Sequence, residues 1–295
     1  MNSINKQVFH FLVRVRALIG RPRVVVSTKP VVIGEDDLCE NPIFLIGVHR
    51  SGTSLLRRII DSHSNIACPP ETYFLNHFCS LIKDKDTFAG FRGLGYIDRD
   101  ETLNEIRRWA SRYHEMYRKA KGKGRWADKT PQYITALNEL EEIFYNRARY
   151  IMIYRHPMDV VYSIYHRGWR FYEGHEEDSL LNAAYYVKGA VSCQLGFMKK
   201  HKGKCFQVKY EDVVVEPERA RSVLQELFSF LGEPWEPGVL EYNNFHHDWG
   251  TEDPIVTGTN AIFDNRGKYK ILDETKRKKI RPVLREIMDA LDYQE

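Results

Sequence analysis

The stretch NPIFLIGVHRSGTSLLRRIIDSHSN, Asn41 to Asn65, decides how the rest of the chain is read. PIFLIGV is a continuous apolar run ending in glycine, the pattern of a central parallel strand covered on both faces. Leu55, Leu56, Ile59 and Ile60 then fall on one helical face, so the order is strand, glycine loop, helix. From Gly47 to Gly52 the spacing is that of a phosphate loop, G-x-x-x-x-G, but Thr53 stands where an ATP or GTP hydrolase carries its lysine. A turn of this kind leaves backbone N–H groups pointing at one spot where the helix dipole also favours negative charge, which suits a phosphate or a sulfate. Arg50 adds a fixed positive charge, and Thr53 and Ser54 supply hydroxyl donors at the helix start. The loop alone also allows a plain tight turn between Gly47 and Gly52, capped by Ser51 or Thr53.

Outward from this unit the pattern repeats. In RARYIMIYRHPMDVVYSIYHRG, Tyr150 to Tyr154 reads as a strand and Pro157 begins a helix carrying Val160, Val161, Ile164 and Tyr165. KCFQVKYEDV reads as a third strand, followed by a helix from about Pro217 to Leu231. Helical spacing also covers Thr102 to Lys119, Gln132 to Asn146, Ser179 to Lys200 and Glu274 to Leu291. Strands alternating with helices predict an α/β fold, a P-loop-like open parallel sheet with helices on both faces. The least regular stretches, KDKDTFAGFRGLGYIDRD, KAKGKGRW and FHHDWGTEDPIVTGTNAIFDNRGKYK, are expected to be surface loops or lids.

Composition narrows the class. A chain of 295 residues with 43% hydrophobic content can bury a sizeable core, and it is divided here into an N-terminal amphipathic helix or arm, 1–40, and one domain, 41–295. Lys and Arg outnumber Asp and Glu by 44 to 40, too mild an excess to imply nucleic-acid binding. The five cysteines are widely spaced without a C-x-x-C pair, so reduced thiols are expected. No apolar run approaches the roughly 20 residues that span a bilayer, and Arg14 and Arg16 interrupt the N-terminal apolar segment. A soluble, cytoplasmic protein is therefore expected, unless an anchor has been removed. Ile4, Val8, Phe11, Leu12, Val15 and Ile19 lie at helical spacing among basic residues, which fits packing on the domain and also fits contact with a membrane surface.

FLIGVHRSGTSLLRRII resembles the 5′-phosphosulfate loop of the sulfotransferases that use 3′-phosphoadenosine 5′-phosphosulfate (PAPS), where Lys or Arg precedes S-G-T-[ST]. The resemblance implies that Arg50, Ser51, Gly52, Thr53 and Ser54 bind the phosphosulfate of PAPS, with no metal required. YIMIYRHPMDVVYSIY is similar to the family's 3′-phosphate motif, an Arg at a strand end and a Ser eight residues later, here Arg155 and Ser163. WADKTPQYI looks like the K-[TD]-P segment of the carbohydrate and tyrosylprotein branches, which implies that Lys129 reaches toward the transferred group. VKYEDVVVEPE matches the strand-then-helix segment that follows, and DNRGKYK resembles the late basic loop that closes over the nucleotide, making Arg266 and Lys268 candidates. Together these motifs span residues 42 to 270.

The expected activity is sulfuryl transfer to a hydroxyl of an acceptor: a carbohydrate, a glycolipid or another metabolite. Such a reaction needs a base, in-line positioning and positive charge at the leaving oxygen. Arg50 and Lys129 suit the last role. ETYFL, after the first helix, resembles the family's Glu-Thr segment, so Glu71 is the expected base, with His49, titrating near neutrality, as its competitor. Leu55 departs from the small-molecule branch, where a tryptophan often stacks on adenine. Tyr162 to His175 is rich in aromatics with Arg167 and Arg170 and is a candidate acceptor surface, although Tyr165 and Trp169 at i and i+4 are expected in the core. Lys83 to Arg125 is the other expected acceptor lid. His246, His247 and Asp248 are read as a solvated loop rather than a metal site. The alternative functions are a P-loop nucleotide or sugar kinase, against which the absent lysine counts, and a non-catalytic nucleotide-binding adaptor. Acceptor identity and oligomeric state are not legible.

Overall fold

The computed structural model describes residues 38–96, 98–248, 250–253, 256, 258 and 264–294, so the expected N-terminal helix, 4–19, lies outside the described residues. Strands β1 (Ile43–Gly47), β2 (Ile66–Ala67), β3 (Arg125–Lys129), β4 (Arg149–Tyr154) and β5 (Cys205–Lys209) form a parallel sheet in the order β2-β3-β1-β4-β5. The helices are α1 (Thr53–Asp61), α2 (Leu75–Lys83), α3 (Lys85–Gly93), α4 (Arg99–Ala120), α5 (Leu137–Ile143), α6 (Pro157–His166), α7 (Ser179–Lys200), α8 (Tyr210–Val214), α9 (Pro217–Leu231) and α10 (Glu274–Ala290).

Every residue of β1 is buried, as the uninterrupted apolar run predicts for a strand covered on both faces. Successive side chains part to opposite sides. Phe44 and Ile46 join Tyr150 and Met152 in a core roofed by α2, α4, α7 and α10, while Ile43 and Leu45 join Ile151 and Ile153 under α1 and α9. From β1 the chain first builds β2 and β3 on one side of that strand and then β4 and β5 on the other, so the strand order reverses beside β1. In open α/β sheets the crevice at the carboxyl ends of the strands, next to such a reversal, is where ligands bind.

Three local readings are corrected. KDKDTFAGFRGLGYIDRD is largely helical: Asp84 accepts from the Thr87 amide at 2.7 Å to cap α3, and Asp98 caps α4 by accepting from the amides of Asp100 and Glu101. Aspartates that suggest a loop are here helix N-caps. The expected lid from Lys83 to Arg125 is likewise mostly α3 and α4. The helix expected from Gln132 to Asn146 is split, because Ala136 (φ −131°) separates a 3-10 turn, Pro131–Thr135, from α5.

Candidate active site

The loop joining β1 to α1 is shaped by two glycines. A Cβ on Gly47 would lie 2.5 Å from the Ile153 side chain on the neighbouring strand and 2.6 Å from that of Thr53, so no larger residue fits. Gly52 is the N-cap of α1 in the left-handed region (φ 96°), with no side chain closing the helix end. This corrects the alternative of a serine or threonine cap, and it leaves the first-turn N–H groups of α1 without intrahelical partners. Arg50 is also left-handed (φ 74°), a costly conformation for a residue with a Cβ and one that marks functional loops.

Arg50 and the second expected motif meet directly. Arg50 Nε donates to Ser163 Oγ on α6 at 3.0 Å. Arg155, just beyond β4, donates through Nη1 to the Arg50 carbonyl oxygen at 3.1 Å and through Nη2 to the Asn265 carbonyl oxygen at 2.5 Å. Its guanidinium also lies 4.7 Å above the centre of the Tyr210 ring. Arg155 Nε and Ser51 Oγ are buried and have no hydrogen-bond partner among the described residues. Both are polar atoms of the kind an anionic ligand satisfies. Arg50, Gly52, Thr53, Arg155, Ser163 and Lys268 line a cleft of about 270 Å³. Arg266 is not in that wall: its guanidinium pairs with Asp264 at 2.8 Å.

The third and fourth motifs converge beside this cleft. Lys129, at the end of β3, is fully buried, and its Nζ lies 2.5 Å from Glu71 Oε1 and 3.5 Å from Ser54 Oγ. The other Glu71 oxygen accepts from the Tyr73 hydroxyl. Burial, with Glu71 alongside, pushes that phenol up to about 12, so it stays protonated and donates. Tyr73 is itself left-handed (φ 63°). Glu71 opens onto a second cavity of about 670 Å³, walled also by His49, Trp169 and Phe171. The two cavities share Arg50, Thr53, Ser54, Arg167 and Asp253.

Several residues of the site carry no local signal in the sequence. Asp253 Oδ2 lies 2.7 Å from Arg50 and its Oδ1 lies 3.6 Å from Arg167, while its amide donates to Ser54 Oγ at 3.3 Å. No local spacing links a residue near position 253 to one near 50. Trp169, expected in the core, is 37% exposed in the second cavity because α6 stops at His166 and Gly168 (φ 65°) turns the chain outward. His49 hydrogen-bonds Tyr186 at 2.6 Å and stacks on Phe171; burial, against a smaller opposing pull from Glu71, lowers its pKa to about 4 rather than near neutrality. His247 does not read as a solvated loop side chain: the residue is partly buried, its side chain is only 3% exposed, and Nδ1 lies 2.7 Å from Asp61. Among the described residues no group of three or more His, Cys, Asp or Glu could hold a metal ion, and no described helix is long and apolar enough to cross a membrane.

A parallel sheet with an uncapped glycine loop after its first strand and a lysine–glutamate pair at its carboxyl edge thus frames the two cavities. The sequence profile of the Sulfotransferase family matches residues 42–237, and the chain belongs to that family. It is 26% identical over 258 residues to an uncharacterized protein of Aquifex aeolicus, covering 84% of this chain and 32% of that one. It is 31% identical over 130 residues to nodulation protein NoeE of Sinorhizobium fredii (41% of this chain, 30% of that one) and 25% identical over 203 residues to protein-tyrosine sulfotransferase 1 of Danio rerio (68% and 55%). The chain thus spans about a third of the first two relatives and about half of the third. Among solved structures, the sulfotransferase domain from the curacin biosynthetic pathway superposes with a TM-score of 0.59 at 21% identity, covering 85% of this chain and 97% of that one. Sulfotransferase STF9 from Mycobacterium avium superposes at 0.55 and 14% identity (88% and 79%).

Proposed function

We propose that this chain transfers a sulfuryl group from PAPS to a hydroxyl of a carbohydrate, glycolipid or other metabolite, and that residues 41–295 form its catalytic domain. The observation that carries this reading is the Lys129–Glu71 pair: Glu71 lines the second cavity, and the buried Lys129 behind it reaches Ser54, which lines both cavities. PAPS supplies an electrophilic sulfur and a phosphate leaving group. Ser51, Gly52, Thr53 and Ser54 surround the phosphosulfate through the open end of α1; Arg155, Ser163 and Lys268 take the 3′-phosphate, and the partnerless Ser51 Oγ and Arg155 Nε fit that load. Arg50 and Lys129 offset the charge that builds on the leaving oxygen. The acceptor oxygen bonds to sulfur as the bond from sulfur to the bridging phosphate oxygen breaks, and the acceptor proton passes to Glu71. His49 suits this role less well, because an imidazole held down to about 4 is a weak base at neutral pH.

Calorimetric titration with 3′-phosphoadenosine 5′-phosphate (PAP), with ADP and ATP as controls, followed by transfer assays from PAPS across hydroxyl acceptors, tests the reading. Preferential PAP binding with formation of a sulfate ester supports it. Preferential ATP binding with phosphate transfer makes the chain a kinase, and PAP binding without turnover on any acceptor makes it an adaptor.

A further inference from the structure

Asp128 precedes Lys129 on β3 and is fully buried, a costly place for a carboxylate unless its oxygens are satisfied. They are. Oδ2 accepts from the Thr72 hydroxyl at 2.6 Å and the Tyr133 hydroxyl at 3.0 Å and lies 2.8 Å from His114 Nε2; Oδ1 accepts from the Thr130 hydroxyl at 3.1 Å. Burial alone would push this carboxyl up, but His114 and the hydroxyls hold it below the ordinary aspartate range, so it is an anion. The partners are not scattered. Thr72 follows Glu71 and Thr130 follows Lys129, and the Thr72 amide donates to Thr130 Oγ1 at 3.1 Å.

We infer that Thr72, anchored on Asp128 and Thr130, is a positioning residue that fixes the Glu71 carboxylate against Lys129. The loop after β2 has few other ties near Glu71. The Glu71 amide reaches the Thr251 carbonyl oxygen at 3.4 Å, the Tyr73 amide reaches Thr130 Oγ1 at 3.5 Å, and the Tyr73 hydroxyl holds the carboxylate. Lys129 by contrast is set by its strand, paired with Leu45 of β1. The base is therefore registered to the lysine through the hydroxyl and amide of Thr72, with the longer contact of the Tyr73 amide beside them. A shift of about 1 Å in a reacting group can cost about 10² in rate, so the hydroxyl alone has kinetic weight. The inference rests on the sulfuryl-transfer reading for its kinetic consequence, but not for its geometry.

Thr72→Val removes the hydroxyl at nearly constant shape, and Thr72→Ser restores it. The expected result is a 10- to 100-fold loss of kcat (about 10² per ångström of displacement) for Thr72→Val, with unchanged PAP affinity and a thermal midpoint lowered by the lost hydrogen bond to the buried Asp128, and recovery of kcat to within a few-fold of wild type for Thr72→Ser. Crystal structures of wild type and Thr72→Val are the second arm, expected to show Glu71 paired with Lys129 in wild type and displaced from it in the variant. A Glu71 still paired with Lys129 in Thr72→Val overturns the inference whether or not the protein turns over, as does a kcat close to wild type or an equal loss in both variants. An inert wild type would instead count against the sulfuryl-transfer reading, leaving the crystallographic arm to decide the positioning role.

Discussion

Arg155 donates to the backbone carbonyl oxygen of Arg50 at 3.1 Å, so the side chain expected to meet the 3′-phosphate also braces the loop expected to meet the phosphosulfate. The bond needs the fork of a guanidinium, because the other terminal nitrogen is occupied at Asn265. Arg155→Lys keeps the charge but loses one arm. PAP affinity should fall about 10- to 100-fold, the equivalent of one charged hydrogen bond of about 1.5–3 kcal/mol. Calorimetry checks this, and ADP affinity should fall less.

Glu71 and Lys129 should separate in a kinetic comparison. Glu71→Gln keeps the shape and removes the proton acceptor, so kcat should drop by about 10² to 10⁴ while PAP still binds. The same change leaves the buried Lys129 ammonium without its anionic partner, a loss of about 3–5 kcal/mol when one member of a buried pair is removed. Chemical denaturation should therefore show a lower unfolding midpoint for Glu71→Gln, and Glu71→Gln with Lys129→Met should recover part of it.

Asp253 sits between Arg50 and Arg167, where an incoming anion needs those cations. Asp253→Asn removes a competing charge without removing bulk. PAP should bind several-fold more tightly to Asp253→Asn at low ionic strength, and the gain should shrink as salt screens the site over a Debye length of about 8–10 Å. Titrations at two salt concentrations measure both effects.

His49 gives a pH signature. Its unfolded pKa is near 6.5 and its folded value is about 4, so the unfolded chain binds the extra proton first as pH falls. Stability is unaffected by this group above about pH 6.5 and is lost progressively between about 6.5 and 4, by as much as about 3 kcal/mol over the full window. Urea midpoints from pH 7.5 to 5 should fall more steeply for wild type than for His49→Gln.

The parts of this fold that are legible in the sequence are those ruled by local physics. β1 shows itself by unbroken apolarity, α7 runs over the expected Ser179 to Lys200, and Arg155 and Ser163 both contact Arg50. β3 does not read as a strand because Asp128 and Lys129 are charged, and charged residues are fully buried only when tertiary partners such as His114 and Glu71 satisfy them. The same limit hides Asp253, whose partner Arg50 lies about 200 residues away in the chain. Trp169 misleads because i and i+4 spacing means nothing once Gly168 has ended the helix.

A Cβ at Gly52 would fall 2.4 Å from the Tyr210 ring, and the same ring carries the Arg155 guanidinium 4.7 Å from its centre. Loop and guanidinium thus both pack on one ring, and the loop sits so close to it that a methyl at position 52 does not fit. Any lineage that enlarged position 52 would have to shrink position 210, and the shrunken residue would withdraw the platform beneath Arg155. The two proposed anion sites are therefore bound to change together or not at all, so on the sulfuryl-transfer reading the spacing between them is a fixed ruler for a ligand with anionic groups at both ends.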